Sequence, residues 1–94
     1  MTALPAADEP IEVPITDSLD LHSFVPRDVP SVVGEYLEAA RARGFREVRL
    51  IHGRGIGVQR AIVQSLLRAH PLVAGFADAP DDRGGKGATI VRLR

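Results

Sequence analysis

Residues 47–69, EVRLIHGRGIGVQRAIVQSLLRA, contain the signals of a strand, a glycine-rich loop and a helix in direct succession. Residues 47–51, with Val48, Leu50 and Ile51, predict the strand, and the glycines at 53, 55 and 57 end it. A helix is predicted from about 58 to 69, before Pro71, because apolar residues recur at helical spacing: Ile62, Val63, Leu66 and Leu67. Ligands of α/β domains are held where strands end, so this loop is the first candidate for a site.

The remaining elements follow from the same patterns. Residues 11–15 and 19–24 predict two extended pieces, with Leu19 and Leu21 facing the core. A helix follows residues 26–30, with Asp28 as its cap, Gly44 as its stop and an apolar stripe on Val33, Tyr36, Leu37 and Ala40. Residues 73–77 and 88–93 predict strands joined by an Asp- and Gly-rich connection.

The predicted order is therefore β-α-β-α-β-β, with an extra edge strand in front. The crossover helix pairs the first two main strands in parallel, and the last two strands form a hairpin. We predict an α/β fold, more closely an α+β sandwich, with a mixed sheet of about four strands and two helices on one face.

The composition is that of one small globular domain. The 94 residues are 45% hydrophobic and 26% charged, and the absence of cysteine excludes disulfides, thiolate metal sites and thiol catalysis. Apolar runs fall short of the roughly 20 residues that cross a bilayer. Residues 1–10 predict a flexible acidic segment without signal-peptide features, ahead of a domain at 11–94. These features predict a cytoplasmic protein without a membrane partner.

The net charge of zero hides an asymmetry along the chain. Residues 1–40 contain eight acidic residues and one basic residue, whereas residues 41–94 contain eleven basic and four acidic ones. The basic part includes both glycine-rich loops, so a local positive field near them is one interpretation. The alternative is that these basic residues only form the solvent-exposed faces of the two helices.

The loop at 52–57 has the residue types of an anion site. Gly53, Gly55 and Gly57 allow a tight turn that points N–H groups at an anion, and the following helix start adds a favourable dipole. The spacing of these glycines differs from that in dinucleotide-binding and Walker-type loops. The glycines can equally be present only because the turn requires positive φ angles. Arg54 adds a cation to the loop. Arg60 lies in the first turn of the helix, where the helix dipole disfavours a cation, so its presence there suggests an anionic partner.

Histidines and one carboxylate supply the candidate proton-transfer groups. His52 follows the strand and can exchange a proton with whatever the loop binds, or instead bond to a backbone carbonyl. Asp20 and His22, two apart on a predicted strand, point to the same side. The carboxylate can orient the imidazole, or the two can hold a divalent cation such as Mg²⁺ or Mn²⁺; the alternative is a solvated edge strand. Lys86 is a candidate phosphate contact in the connection before the last strand.

Four motifs in this order and spacing resemble the small MutS-related (Smr) domain family. They are LDLH at 19–22, IHGRGIG at 51–57, HPLV at 70–73 and GGKGATIV at 84–91. The resemblance covers 11–94, nearly the whole chain, and implies a stand-alone Smr domain protein. Family motifs map onto Asp20, His22, His52, Gly53 and Gly55, and a third glycine motif maps onto Gly85 and Gly87. The chain departs from the family at Ser23, where many members have glycine, and Lys86 occupies a variable position.

The resemblance implies a compact α/β fold and an endonuclease that cleaves or nicks DNA or RNA. In this hypothesis Asp20 orients His22, which activates water or a ribose 2′-hydroxyl, and His52 protonates the leaving oxygen or stabilises charge. Residues 53–57, with Arg54 and Lys86, hold the phosphate. The alternative is a binding module for nucleic acid or the ribosome without turnover, with salt-sensitive affinity.

Overall fold

The computed structural model describes residues 15–55 and 57–94. Its main elements are β1 (Ser18–Asp20), α1 (Val29–Ala42), β2 (Glu47–Ile51), α2 (Val58–Ala69), β3 (Val73–Asp78) and β4 (Ala88–Leu93). Short 3₁₀ turns precede α1 and β4. The predicted order β-α-β-α-β-β is confirmed. The predicted segment at 1–10 and residues 11–14 of the predicted edge strand lie outside the described residues.

The four strands form one mixed sheet in the order β1-β2-β4-β3. β1 pairs with β2 in parallel, as the crossover through α1 requires, and β4 is antiparallel to both β2 and β3. The carboxyl ends of β1 and β2 and the amino end of β4 therefore meet at one edge of the sheet.

One hydrophobic core lies between the sheet and the helices. Inward-facing residues alternate along the two central strands, with Val48 opposite Val91 and Leu50 opposite Thr89. The helices contact each other, and both bury side chains in this core. They therefore share one face of the sheet, as predicted. The buried helical residues are Val29, Val33, Tyr36, Leu37, Ala40, Val63 and Leu67.

Two local predictions are corrected by the structure. The piece predicted as extended over 19–24 leaves the sheet after Asp20 and turns, and the Phe24 N–H donates to the Leu21 carbonyl. Leu21 is nevertheless buried in the core, as predicted. Asp28 stands at the N-cap of α1, but its side chain makes no capping hydrogen bond. Among the described residues, the helices are too short or too polar to cross a bilayer.

Candidate active site

Main-chain hydrogen bonds join three motif segments at one edge of the sheet. The Leu21 N–H donates to the Ile51 carbonyl, which connects the turn after β1 to the end of β2. The Gly87 carbonyl accepts from the N–H groups of both His52 and Gly53, which connects the loop after β2 to the turn before β4. The three segments are therefore held in fixed register.

Asp20 and His22 form a hydrogen-bonded pair in the turn after β1. Asp20 Oδ1 accepts from the His22 N–H at 2.9 Å and lies 2.6 Å from His22 Nδ1. This turn brings the two side chains together. The predicted alternation of residues along a strand does not. Because an ionised carboxylate only accepts, Nδ1 carries the hydrogen, and Nε2 of the neutral ring has the free lone pair. More than half of each side chain is exposed, so the pair lies at the protein surface.

The hydrogen bonds to His22 lower the pKa of Asp20 below its ordinary value of 3.8. The backbone N–H contributes most, and the imidazole bond comes second. Asp20 thus stabilises the folded state above pH 3.8, and this contribution is lost as pH falls through the lower folded pKa.

The His22→Ala substitution is expected to raise the pKa of Asp20 only in part. It removes the imidazole bond, whereas the stronger backbone bond remains. A pH titration of the Asp20 carboxyl ¹³C resonance measures both values. A pKa in the variant equal to that of the wild type would contradict the Asp20–imidazole bond.

The Nε2 edge of the His22 ring lies close to Gly53. A Cβ built on Gly53 would be 3.1 Å from His22 Nε2, so a larger side chain there would press on the ring. Gly53 also has a φ of 82°, a left-handed conformation that favours glycine. Nε2 of His22 is therefore held next to the backbone of the glycine-rich loop.

Arg54 extends from this loop across the glycines before β4. A Cβ on Gly85 would lie 2.6 Å from Arg54 Nη2 and 3.4 Å from Asp81 Oδ1, and a Cβ on Gly87 would lie 3.2 Å from Arg54 Cγ. Glycine at both positions makes room for the arginine side chain. The guanidinium is thus placed at the same sheet edge as the Asp20–His22 pair.

A cavity of about 200 Å³ lies between the glycine-rich loop and the start of α2. We call this space, which is lined by residues 52–55 and 57–59, the loop cavity. Gly57 caps α2 with a φ of 85° and, lacking a side chain, leaves the first N–H groups of the helix to other acceptors. The cavity therefore combines Arg54 with a helix amino terminus, which suits an anion.

His52 is only 5% exposed, and both of its ring nitrogens have protein partners. Nδ1 lies 2.9 Å from the Gly53 carbonyl oxygen, and Nε2 lies 2.9 Å from Thr89 Oγ1. This arrangement matches the alternative of a carbonyl-bonded histidine. The leaving-group role of His52 stays a prediction that these contacts do not support.

Arg60 and Lys86 both interact with Asp78, at the end of β3. Arg60 donates to both carboxylate oxygens of Asp78, which joins α2 to β3 and lowers the pKa of that carboxyl. Lys86 is exposed and lowers the pKa of Asp78 more weakly through its charge. We find no support in these contacts for Arg60 as a phosphate ligand.

Asp20 and His22 do not by themselves make a metal site. Within residues 15–55 and 57–94, no three side chains of His, Asp or Glu are grouped so that they could hold an ion. Asp20 Oδ1 and His22 Nδ1 already bond to each other. The described side chains therefore form no three-ligand site for Mg²⁺ or Mn²⁺, and we derive no step through such an ion.

Two residues near the site were not identified from the sequence. Thr89 is fully buried and bonds to His52, and Asp81 lies beside Arg54 at Gly85. Thr89 alternates with Val91 and Leu93, so its inward position was visible in the sequence. Asp81 approaches Arg54 only through the fold of the turn.

These elements define a small α+β domain with an accessible carboxylate–imidazole pair beside two glycine-rich turns. A sequence model of the Smr domain matches residues 19–94, and the chain belongs to this family. The fold agrees with the crystal structure of the Smr domain of Thermus thermophilus MutS2, with a TM-score of 0.80, 39% identity and coverage of 84% of this chain and 99% of that chain. Escherichia coli YdaL, a stand-alone small MutS-related protein, matches with a TM-score of 0.78, 30% identity and coverage of 83% of this chain and 64% of that chain.

The sequence relatives are much longer proteins. Endonuclease MutS2 of Thermus thermophilus is 41% identical over 76 residues, which cover 81% of this chain and 10% of that protein. Endonuclease MutS2 of Caldicellulosiruptor saccharolyticus is 40% identical over 77 residues, covering 82% and 10% respectively. This chain thus spans about a tenth of the length of these curated relatives. It is homologous to the Smr domains of MutS2 endonucleases.

Proposed function

We propose that this protein is an endonuclease that cleaves or nicks phosphodiester bonds of DNA or RNA. The observation that carries the proposal is the exposed Asp20–His22 pair, with Nε2 of His22 next to Gly53 in a loop that also carries Arg54. Homology to the Smr domains of proteins called Endonuclease MutS2 supports the same reaction class. Arg54 and the loop cavity supply positive charge where a phosphate would lie.

His22 acts as the general base in the proposed reaction. Its Nε2 takes a proton from water or a ribose 2′-hydroxyl, and Asp20 holds the resulting imidazolium through Nδ1. The deprotonated oxygen forms a bond to phosphorus, the opposite P–O bond breaks, and the leaving oxygen takes a proton from solvent. Arg54 stabilises the charge that develops on the phosphoryl oxygens. A 2′-hydroxyl nucleophile would restrict cleavage to RNA.

The binding module without turnover is the competing function. It would use the same cations, and the ribosome is one of the partners proposed for it. The Asp20–His22 pair favours the nuclease, because a carboxylate at a phosphate-binding edge repels the ligand. The predicted cytoplasmic location fits either function, and cell fractionation would test it.

Asp20→Asn separates the two functions. Under the proposal, cleavage falls about 10²-fold or more because the imidazolium loses its carboxylate partner. Binding of a non-cleavable phosphorothioate oligonucleotide, measured by fluorescence anisotropy, is expected to persist or tighten because a negative charge is removed. Asp28→Asn, at the start of α1, is the matched control. Equal cleavage by Asp20→Asn and the wild type would contradict the nuclease proposal.

A further inference from the structure

The hydrogen-bond partners of His52 select one tautomer of its ring. The Gly53 carbonyl can only accept, so Nδ1 carries the hydrogen and donates it at 2.9 Å. In the neutral ring Nε2 is then an acceptor, and the Thr89 hydroxyl donates to it at 2.9 Å. The bond to Thr89 is buried, and the bond to Gly53 is partly buried. The ring is therefore held in place from two sides.

The bond from His52 also orients a peptide group of the glycine-rich loop. In a trans peptide the carbonyl and the following N–H point in opposite directions. Because the Gly53 carbonyl points at the buried His52 ring, the Arg54 N–H points away from it. Gly53 adopts its left-handed φ in this arrangement, and Gly53 and Arg54 both line the loop cavity.

We propose that His52 and Thr89 are positioning residues that aim the Arg54 main-chain N–H into the loop cavity as a phosphate donor. The Gly53 carbonyl selects the Nδ1–H tautomer of His52, the Thr89 hydroxyl holds the ring through Nε2, and the Nδ1 hydrogen holds the Gly53–Arg54 peptide in its orientation. His52 thus acts through the backbone of Arg54, with no proton transferred to substrate. That the bound anion is a scissile phosphate rests on the proposed function; the tautomer and the peptide orientation stand without it.

Thr89→Val and Thr89→Ser form a matched pair for the test. Valine has nearly the shape of threonine without the hydroxyl, whereas serine retains the hydroxyl. Long-range ¹H–¹⁵N spectra of the histidine rings report the tautomer, and the Arg54 amide resonance is followed during titration with inorganic phosphate. In the wild type and Thr89→Ser we expect protonated Nδ1, unprotonated Nε2 and a shift of the Arg54 amide. In Thr89→Val we expect a changed Nε2 resonance, a weaker Arg54 response and cleavage lowered by up to about 10²-fold.

Measurements on the wild type alone can overturn the inference, even if a variant does not fold. A His52 ring protonated at Nε2, or an Arg54 amide that does not respond to phosphate, contradicts it. Retention of the wild-type phosphate response of the Arg54 amide in folded Thr89→Val contradicts it as well. Failure of the proposed function is distinct: the spectra would be as expected, yet the wild type would cleave no nucleic acid.

Discussion

Cleavage by the His22→Ala variant is expected to be about 10²–10⁴-fold slower than cleavage by the wild type. The substitution removes the imidazole that forms the exposed pair with Asp20 and lies next to Gly53, where the three motif segments meet. The fold is expected to persist because the His22 side chain is mostly exposed. Initial rates on an end-labelled oligonucleotide, with circular dichroism as the check on folding, measure the effect.

His70→Ala is the matched control for this substitution. His70 ends α2 at the opposite end from the loop cavity, and its Nδ1 accepts from the Leu72 N–H. Its loss is expected to affect the local turn and to leave cleavage close to the wild-type rate. Equal rates for His22→Ala and the wild type would exclude His22 as the base. Equal losses in both histidine variants would indicate a general effect on folding.

Replacement of Arg54 by alanine is expected to lower cleavage by roughly 10²–10³-fold, because a charge-stabilising donor is lost from the transition state. Its guanidinium lies against Gly85 and its stem lies against Gly87, so it is held at the site before substrate arrives. Binding is expected to weaken as well, and the slope of log affinity against log salt should fall by about one. Oligonucleotide binding at several salt concentrations measures the slope.

Arg43→Ala is the control for charge alone. Arg43 is exposed at the end of α1, so this variant lowers the net charge by the same amount away from the site. Its cleavage rate is expected to match that of the wild type. If both arginine variants lose affinity equally and cleave at equal rates, the cations act as a diffuse field and Arg54 has no specific role.

The helices and central strands were predictable because their signals are local and repeated. α2 begins and ends where the glycine loop and Pro71 indicated, and β4 spans the predicted 88–93. The turn after Asp20 was missed because the Asp20 side chain accepts a hydrogen bond from the His22 N–H. That bond competes with the backbone hydrogen bonds that would continue the strand. The alternation of apolar and polar residues in the sequence does not reveal that competition.

The candidate site was predictable as a set of motifs and only in part as a set of contacts. The convergence of Asp20, His22 and the two glycine turns followed from their positions at strand ends. The burial of His52 was also visible, because it continues the inward alternation of Val48 and Leu50. The bond from Arg60 to Asp78 depends on how α2 docks on β3, and no local pattern predicts it.

In the proposed function, the Asp20–His22 pair breaks a phosphodiester bond. The most direct measurement is cleavage of end-labelled single-stranded RNA, duplex DNA and branched DNA by the purified protein, with Mg²⁺, with Mn²⁺ and with chelator. Wild type and His22→Ala are purified in parallel and compared on each substrate. We predict cleavage of at least one substrate by the wild type and its loss in the variant. No cleavage of any substrate, or equal cleavage by both proteins, would contradict the claim.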